Sequence, residues 1–189
     1  KNFSADRPRF SQTLPVIILV SVALLAGCAT KTKMKIERSN LIASLEHEMV
    51  SNTQWLRIHA AEGLLDNGES GKIVELFRPD ENAPAPYRIG VWRVLARSTT
   101  DAERDFYIGR IREAMHDPQA TDRISAAESL GKLNAASRSD RSFLSRWLET
   151  ADAATAPYPL WNLVLSSNSS ERENIEAALA QYLSSSHPV

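Results

Sequence analysis

An eight-residue pattern that occurs three times without gaps constrains the fold of this 189-residue chain more than any other feature. The copies begin at Arg57, Arg88 and Arg123, so their starts lie 31 and 35 residues apart, and each ends in leucine. A weaker fourth copy begins another 37 residues on, at Leu160, which replaces the arginine. Repeats of about this length are typical of arrays in which small structural units stack on their neighbours.

The segments between the copies have the periodicity of α-helices. In the last segment, apolar residues at i, i+3, i+4, i+7 and i+8 predict a stripe along one helix face. The stripe consists of Ile175, Ala178, Leu179, Tyr182 and Leu183. Thr100 with Glu103, and Ser170 with Glu173, have the spacing of capping boxes, in which side chains satisfy free N–H groups at a helix start. No segment alternates with the two-residue period of a strand, so we expect an all-α fold.

The composition is that of a folded chain without a strong overall charge. Apolar residues make up 43% and charged residues 24%, and the net charge is -1. This charge gives no electrostatic case for nucleic acid as a partner. The single cysteine, Cys28, excludes an intrachain disulfide and a metal site built from several cysteines. We expect neither a metal ion nor a cofactor.

Residues 14–26 form the one long, mostly apolar run of the sequence. This run is shorter than the roughly 20 residues that a membrane-spanning helix needs. Basic residues precede it and small residues follow it, which is the order of a secretory signal peptide. The sequence therefore predicts export from the cytoplasm.

Leu25-Ala26-Gly27-Cys28 resembles the lipobox of bacterial lipoproteins. The resemblance implies that the Cys28 thiol receives a diacylglyceryl group and that cleavage before Cys28 makes it the mature N-terminus. Several acyl chains would then anchor the protein durably in a membrane. Ala29 stands where an aspartate would favour retention in the inner membrane, so the resemblance implies the outer membrane. An ordinary buried thiol is the alternative for Cys28.

These features predict three segments. Residues 1–27 are expected to be a signal peptide, residues 28–39 the lipidated cysteine with a flexible tether, and residues 40–189 a repeat domain. Four basic residues lie in the tether, between positions 31 and 38. We interpret the tether as a solvated spacer, with attraction to anionic head groups as the alternative.

Pairs of helices that repeat every 31 to 37 residues resemble HEAT repeats, in the shorter HEAT-like form named after the phycobilisome lyases. The resemblance covers about residues 51–183. It implies a short, right-handed α-solenoid of helix pairs, in which the inner helices line a concave face used for protein contacts. The physics agrees, because one amphipathic pair cannot bury both of its apolar faces and each pair needs a neighbour.

The arginine that opens each clear copy lies near a predicted helix start. The helix dipole disfavours a cation there by about 0.3–1 kcal/mol. We therefore expect Arg57, Arg88 and Arg123 to have acidic or carbonyl partners and to form a structural ladder. A row of cations for an anionic ligand is the alternative, which the neutral Leu160 disfavours.

The sequence contains no complete catalytic motif. His47-Glu48 begins a zinc-protease pattern, but Ser51 stands where the second histidine is required. Ser129 has the Ser-x-x-Lys spacing to its following lysine without the companion motifs. His59 and Glu62 could act as an acid–base pair, although polar pairs on a helix surface are far commoner. We expect that the protein is not an enzyme.

The function expected from these features is that of a non-catalytic lipoprotein in the bacterial cell envelope, facing the periplasm. Its repeat domain would bind another envelope protein, and His59 and Glu62 are the leading candidates for the binding face. One alternative is an accessory or catalytic subunit of a lyase-like or hydrolytic enzyme, because the HEAT-like family includes bilin lyase subunits. Another is a carbohydrate-binding surface of tryptophans. The tryptophans are expected mainly in the core: Trp55, Trp92, Trp147 and Trp161.

Overall fold

A computed structural model describes residues 34–184 of the chain. The predicted signal peptide, Cys28 and residues 29–33 of the predicted tether lie outside the described residues. So do the side chains of Tyr182 and Leu183, which belong to the predicted apolar stripe. Within residues 34–184 the regular structure is entirely helical, which confirms the all-α prediction.

The described residues form nine α-helices. These are α1 (34–51), α2 (Gln54–Asp66), α3 (Ile73–Phe77), α4 (Tyr87–Ser98), α5 (Asp101–His116), α6 (Arg123–Lys132), α7 (Arg141–Thr150), α8 (Pro157–Ser166) and α9 (Ser169–Ser184). Short 3₁₀ turns, Arg78–Asp80 and Arg138–Asp140, follow α3 and precede α7. No helix in this part of the chain has the length and apolar character needed to cross a bilayer.

Helix α1 begins at residue 34, inside the segment predicted as a flexible tether. Residues 34–41 are exposed, yet they include good helix formers such as Met34, Lys35 and Leu41. The helical part of the segment is therefore not an irregular spacer. Among the described residues, a boundary between two compact units falls between Ser44 and Leu45.

The three clear copies of the repeat lie in α2, α4 and α6. Arg57, Arg88 and Arg123 are the fourth, second and first residues of these helices, as expected for residues near helix starts. The leucine that ends each copy is at most 2% exposed: Leu64, Leu95 and Leu130. The last position of the copies is therefore buried in all three, whereas the second is buried at Ile58 and Ile89 and 38% exposed at Ile124.

The fourth copy lies in α8 in a register different from the predicted one. Leu160 is 2% exposed, so it is a core residue, whereas the arginines that open the other three copies are partly exposed. The buried positions of α8 match those of α6 when Leu160 is aligned with Ala127. Pro157 and Pro159 lie inside the first turn of α8, where free N–H groups make proline acceptable.

Helices that carry the copies pack side by side, α2 on α4, α4 on α6 and α6 on α8. The helices between them pack on these: α3 on α4, α5 on both α4 and α6, and α7 and α9 on α8. Trp92 and Trp147 are buried, whereas Trp55 and Trp161 are half-buried. Four small side chains of the copies are buried at these interfaces: Ala60, Ala61, Ala126 and Ala127.

The two predicted capping boxes differ from the observed helix starts. Thr100 is the N-cap of α5, but its side chain makes no capping hydrogen bond, and the Glu103 carboxylate pairs with Arg78 at 2.7 Å. At α9 the reciprocal bonds join Asn168 and Glu171, two residues before the predicted pair. Asparagine is as good an N-cap as serine, and it occurs earlier in the chain.

Gly131 allows a close approach between α6 and α8. A Cβ atom at Gly131 would lie 2.9 Å from three ring atoms of Trp161. Gly90 of α4 is similarly close to α2, since its Cβ would lie 3.0 Å from Trp55 and Ile58. Glycine at these positions allows the large neighbouring side chains to fill the interface.

Replacing Gly131 by alanine should therefore lower the free energy of unfolding by about 1–3 kcal/mol, because the added methyl group overlaps the Trp161 ring. Gly109→Ala in α5 is the matched control, since no heavy atom lies within 4 Å of its Cβ position. The control should stabilise the protein by up to about 1 kcal/mol through helix propensity. Urea denaturation followed by circular dichroism measures both changes. A Gly131→Ala variant as stable as the wild type would contradict the close packing of α6 and α8.

Candidate functional site

The buried guanidinium of Arg93 joins the three central repeat helices. Arg93 lies in α4 and is 1% exposed. Its Nε donates to Glu62 Oε1 in α2 at 2.5 Å, and its Nη1 donates to Ser129 Oγ in α6 at 2.8 Å. A charge removed from water is costly unless it is paired and hydrogen-bonded. Arg93 is therefore satisfied only where α2 and α6 both lie against α4.

The Glu62 carboxylate is held in its charged form by its neighbours. Burial alone would raise the pKa of Glu62, but the hydrogen bond and the charge of Arg93 lower it. A hydrogen bond with His59 and the charge of Lys132 lower the pKa further, so it lies below its ordinary value. Glu62 and Arg93 consequently form an ion pair at neutral pH.

A second ion pair joins the same two helices one turn further along. Arg97 Nη2 of α4 donates to Asp66 Oδ1 of α2 at 2.6 Å. Here the side chains are 28% and 68% exposed, so water screens the pair and it contributes less to stability than a buried pair does. The two pairs together place fixed charges along the α2–α4 interface.

His59 lies beside these pairs and is exposed. Its side chain is 59% exposed, its Nδ1 lies 3.3 Å from Glu62 Oε2, and its ring stacks on Trp55 with 6.3 Å between ring centres. On α6, Lys132 pairs with Glu128 at 2.7 Å. We call this set the charged row: His59, Glu62, Asp66, Arg93, Arg97, Glu128 and Lys132.

The structure brings the two predicted binding residues together but gives them different roles. His59 is exposed and available to a partner molecule, as the sequence analysis requires of a binding residue. Glu62 is 14% exposed and bound to Arg93, so it is not the free surface charge that we expected. The reason is a long-range contact that the spacing of His59 and Glu62 along one helix does not reveal.

Arg93 and Ser129 are site residues that the sequence analysis did not single out. A signal was present in the aligned copies, because Arg93 occupies the sixth position, where the first and third copies have Glu62 and Glu128. A reversed charge at one aligned position indicates pairing between neighbouring repeats. Ser129 is fully buried and accepts from Arg93, and Lys132 pairs with Glu128, so the Ser-x-x-Lys spacing is explained by packing.

Each of the three ladder arginines has an acidic or carbonyl partner, as the prediction requires. Arg57 donates to the Asp80 carboxylate and the Leu76 carbonyl, Arg88 Nε to Asp122 at 2.7 Å, and Arg123 Nε to the Met115 carbonyl at 3.2 Å. The side chain of Asp122 is completely buried and precedes α6 directly, so Arg88 ties α4 to the start of the next repeat helix.

A second buried carboxylate, Asp140, ties α5 to the turn before α7. It lies 3.1 Å from Arg112 Nε and 2.9 Å from His116 Nε2, and it accepts from the backbone N–H of Ser137 at 3.2 Å. The His116 ring also stacks on Phe143 at 4.2 Å. These contacts around Asp140 therefore serve to join α5 to the turn before α7.

A groove of about 430 Å³ lies within the Leu45–Val189 unit, beside α2 and α3. Its lining is mainly apolar, with charged side chains among it: Glu46, Met49, Val50, Leu64, Glu69, Gly71, Lys72, Ile73 and Leu76. No group of three or more side chains suited to hold a metal ion occurs among residues 34–184.

The chain matches no protein-family model, no curated protein and no solved structure. The charged row is therefore interpreted from its own contacts. These contacts arrange charge across three helices and leave the His59 ring accessible, which suits binding at a surface.

Replacing Glu62 by alanine should lower the free energy of unfolding by about 3–5 kcal/mol, because the buried charge of Arg93 loses its carboxylate. Asp66→Ala is the matched control in the same helix, since it removes the partner of the more exposed Arg97. Its effect should stay below about 1 kcal/mol. Denaturant titrations measure both values, and equal effects would contradict the role assigned to the buried pair.

Proposed function

We propose that this protein is a lipid-anchored scaffold of the bacterial cell envelope that binds another envelope protein. In the proposal, its helix pairs form a short right-handed α-solenoid of HEAT-like repeats. The observation that carries the proposal is the side-by-side packing of α2 on α4, α4 on α6 and α6 on α8. It supports a solenoid because repeat arrays stack the equivalent helices of neighbouring pairs.

The charged row supports a protein as the partner. Its more exposed pairs, Arg97 with Asp66 and Lys132 with Glu128, are formed within the chain, so the partner meets a charge pattern that needs no rearrangement. Fixed charge patterns favour complementary protein surfaces and reject wrong ones. We assign His59 to the binding face and Glu62 to holding that face in place.

The proposed scaffold acts without catalysis. The groups best suited to acid–base or nucleophilic chemistry are engaged in contacts that support packing: Glu62 with Arg93, Ser129 with Arg93, and His116 with Asp140. Engagement of this kind supports a binding role over a lyase-like or hydrolytic one.

The anchor in this proposal is a diacylglyceryl group on Cys28, which follows removal of residues 1–27. The support comes from the sequence alone, through the resemblance of Leu25-Ala26-Gly27-Cys28 to a lipobox. Ala29 then favours the outer membrane, and we propose that the repeat domain faces the periplasm. Several acyl chains give a durable anchor, which keeps the scaffold at the membrane while its surface binds the partner.

In a bacterium that produces the full chain, Cys28→Ala should abolish incorporation of labelled palmitate and stop cleavage before residue 28, because only the thiol accepts the diacylglyceryl group. Ser21→Ala, in the same apolar segment, is the control and should be labelled like the wild type. Labelling is read from gels of the immunoprecipitated protein, and cleavage from its mass. Continued labelling of the Cys28→Ala variant would contradict the proposed anchor.

His59→Ala should reduce, by a few-fold, the amount of the partner protein that co-purifies from detergent-solubilised envelopes, because binding is spread over several side chains. Its circular-dichroism spectrum should not change, since exposed substitutions shift stability by less than about 0.5 kcal/mol. Ser145→Ala, on the exposed side of α7, is the control. If the wild-type protein has a measurable enzymatic turnover and His59→Ala abolishes it with helicity intact, the scaffold proposal would be wrong and the protein would be an enzyme.

A further inference from the structure

Four arginines lie against aromatic rings, with 4.0–5.8 Å between the guanidinium carbon and the ring centre: Arg57, Arg88, Arg110 and Arg123. Three of them, the ladder arginines, also donate to an oxygen atom of the chain. Arg110 of α5 differs, because its side chain has no ion pair and no hydrogen bond within the described part of the chain. The guanidinium of Arg110 is therefore held in place by aromatic rings, and its N–H donors make no hydrogen bond within the described residues.

Arg110 lies between a buried ring and an exposed one. Its guanidinium carbon is 4.6 Å from the centre of the Trp92 ring and 5.8 Å from that of Phe106. Trp92 is 3% exposed and its Nε1 donates to the Glu81 carbonyl at 2.7 Å, so this ring is fixed. Phe106 is 53% exposed, so a large part of an aromatic ring faces solvent beside Arg110.

The charge of Arg110 is not compensated at this position. Arg88 lies against the same Trp92 ring at 5.3 Å, but the buried Asp122 neutralises it. A guanidinium offers its N–H donors in a planar fork, which matches the two oxygens of a carboxylate. A fork that is already oriented loses less conformational entropy on binding than a free side chain does.

We propose that Phe106 and Arg110 form a docking surface for a protein segment that carries a carboxylate next to an aromatic or aliphatic side chain. The proposal rests on the proposed function, which makes the ligand a protein. Arg110 binds the carboxylate, and the exposed half of the Phe106 ring buries the apolar neighbour. Aromatic side chains and arginine are the residue types that dominate the energy of protein interfaces.

The charges on α5 favour a single carboxylate over an anionic membrane. Attraction to anionic lipids needs several basic residues close together. Helix α5 instead carries three arginines and four carboxylates, and the exposed Asp105 lies 4.0 Å from Arg104. This helix therefore offers no cluster of free cations to a lipid surface, whereas one acidic side chain can bind the single guanidinium of Arg110.

The test uses the full chain in detergent micelles and the NMR signals of the Arg110 Nε–H group and the Phe106 ring. The probe is N-acetyl-Phe-Glu-amide, and N-acetyl-Phe-Gln-amide is its neutral counterpart. We expect the acidic peptide to shift both signals, with the neutral peptide binding about tenfold more weakly, because charge-assisted bidentate bonds are the strong ones.

Arg110→Gln should weaken binding of the acidic peptide at least about tenfold. Arg146→Gln is the matched control, because Arg146 is an exposed arginine of α7 away from these rings, and it should leave binding unchanged. Phe106→Ala should also weaken binding, since the apolar half of the peptide loses its contact. Circular dichroism confirms that the variants remain folded.

Three results would overturn the docking surface: no shift of the Arg110 signal up to the solubility limit of the acidic peptide, equal binding of the neutral peptide, or a stronger effect of dihexanoyl-phosphatidylglycerol, a short-chain anionic lipid. A partner protein that co-purifies equally well with Arg110→Gln would also overturn it, while the proposed scaffold would stand. If the acidic peptide binds as expected but no partner protein co-purifies from envelopes, the result would support the docking surface and contradict the proposed scaffold function.

Discussion

The buried charge of Arg93 can be satisfied only by two helices at once, and the arrangement of α2, α4 and α6 depends on this constraint. Glu62 supplies the compensating charge from α2, and Ser129 supplies a hydroxyl acceptor from α6. Buried ion pairs add little net stability over well-packed apolar groups, but breaking one is strongly destabilising. We therefore interpret Arg93 as a group that fixes which helices meet and in which register.

A polar contact of the same kind extends to the last repeat helix. Asn162 of α8 is 1% exposed, and its Nδ2 donates to the Ala127 carbonyl of α6 at 2.9 Å and to the Tyr158 carbonyl at 3.0 Å. Each interface in the series α2–α4–α6–α8 therefore contains at least one buried polar contact beside its apolar packing. Such contacts lose their partners if a helix slides by a residue, so they specify register more strongly than leucine and alanine contacts alone. A surface built on these helices, including His59, inherits a fixed geometry.

The sequence predicted the helices, the positions of the three clear copies and the need for partners at Arg57, Arg88 and Arg123, because periodicity and the helix dipole are local effects. It did not predict that Glu62 would bind Arg93, since these residues are 31 positions apart and the only local signal is a reversed charge at one aligned position of the copies. The register predicted for the fourth copy in α8 was wrong for a related reason, because the packing of α8 on α6 decides that Leu160 is buried. The lipid anchor on Cys28 stays a prediction.

Native-state hydrogen exchange at low denaturant tests most directly whether Arg93 couples the three central helices. If it does, the slowest amides of α2, α4 and α6 exchange through one common opening with the same free energy, because none of these helices can leave without exposing a buried charge or its partner. Glu62→Ala should separate α2 from the other two helices. Amides of α2 that exchange in the wild type through an opening about 2 kcal/mol or more below that of α4 would contradict the account.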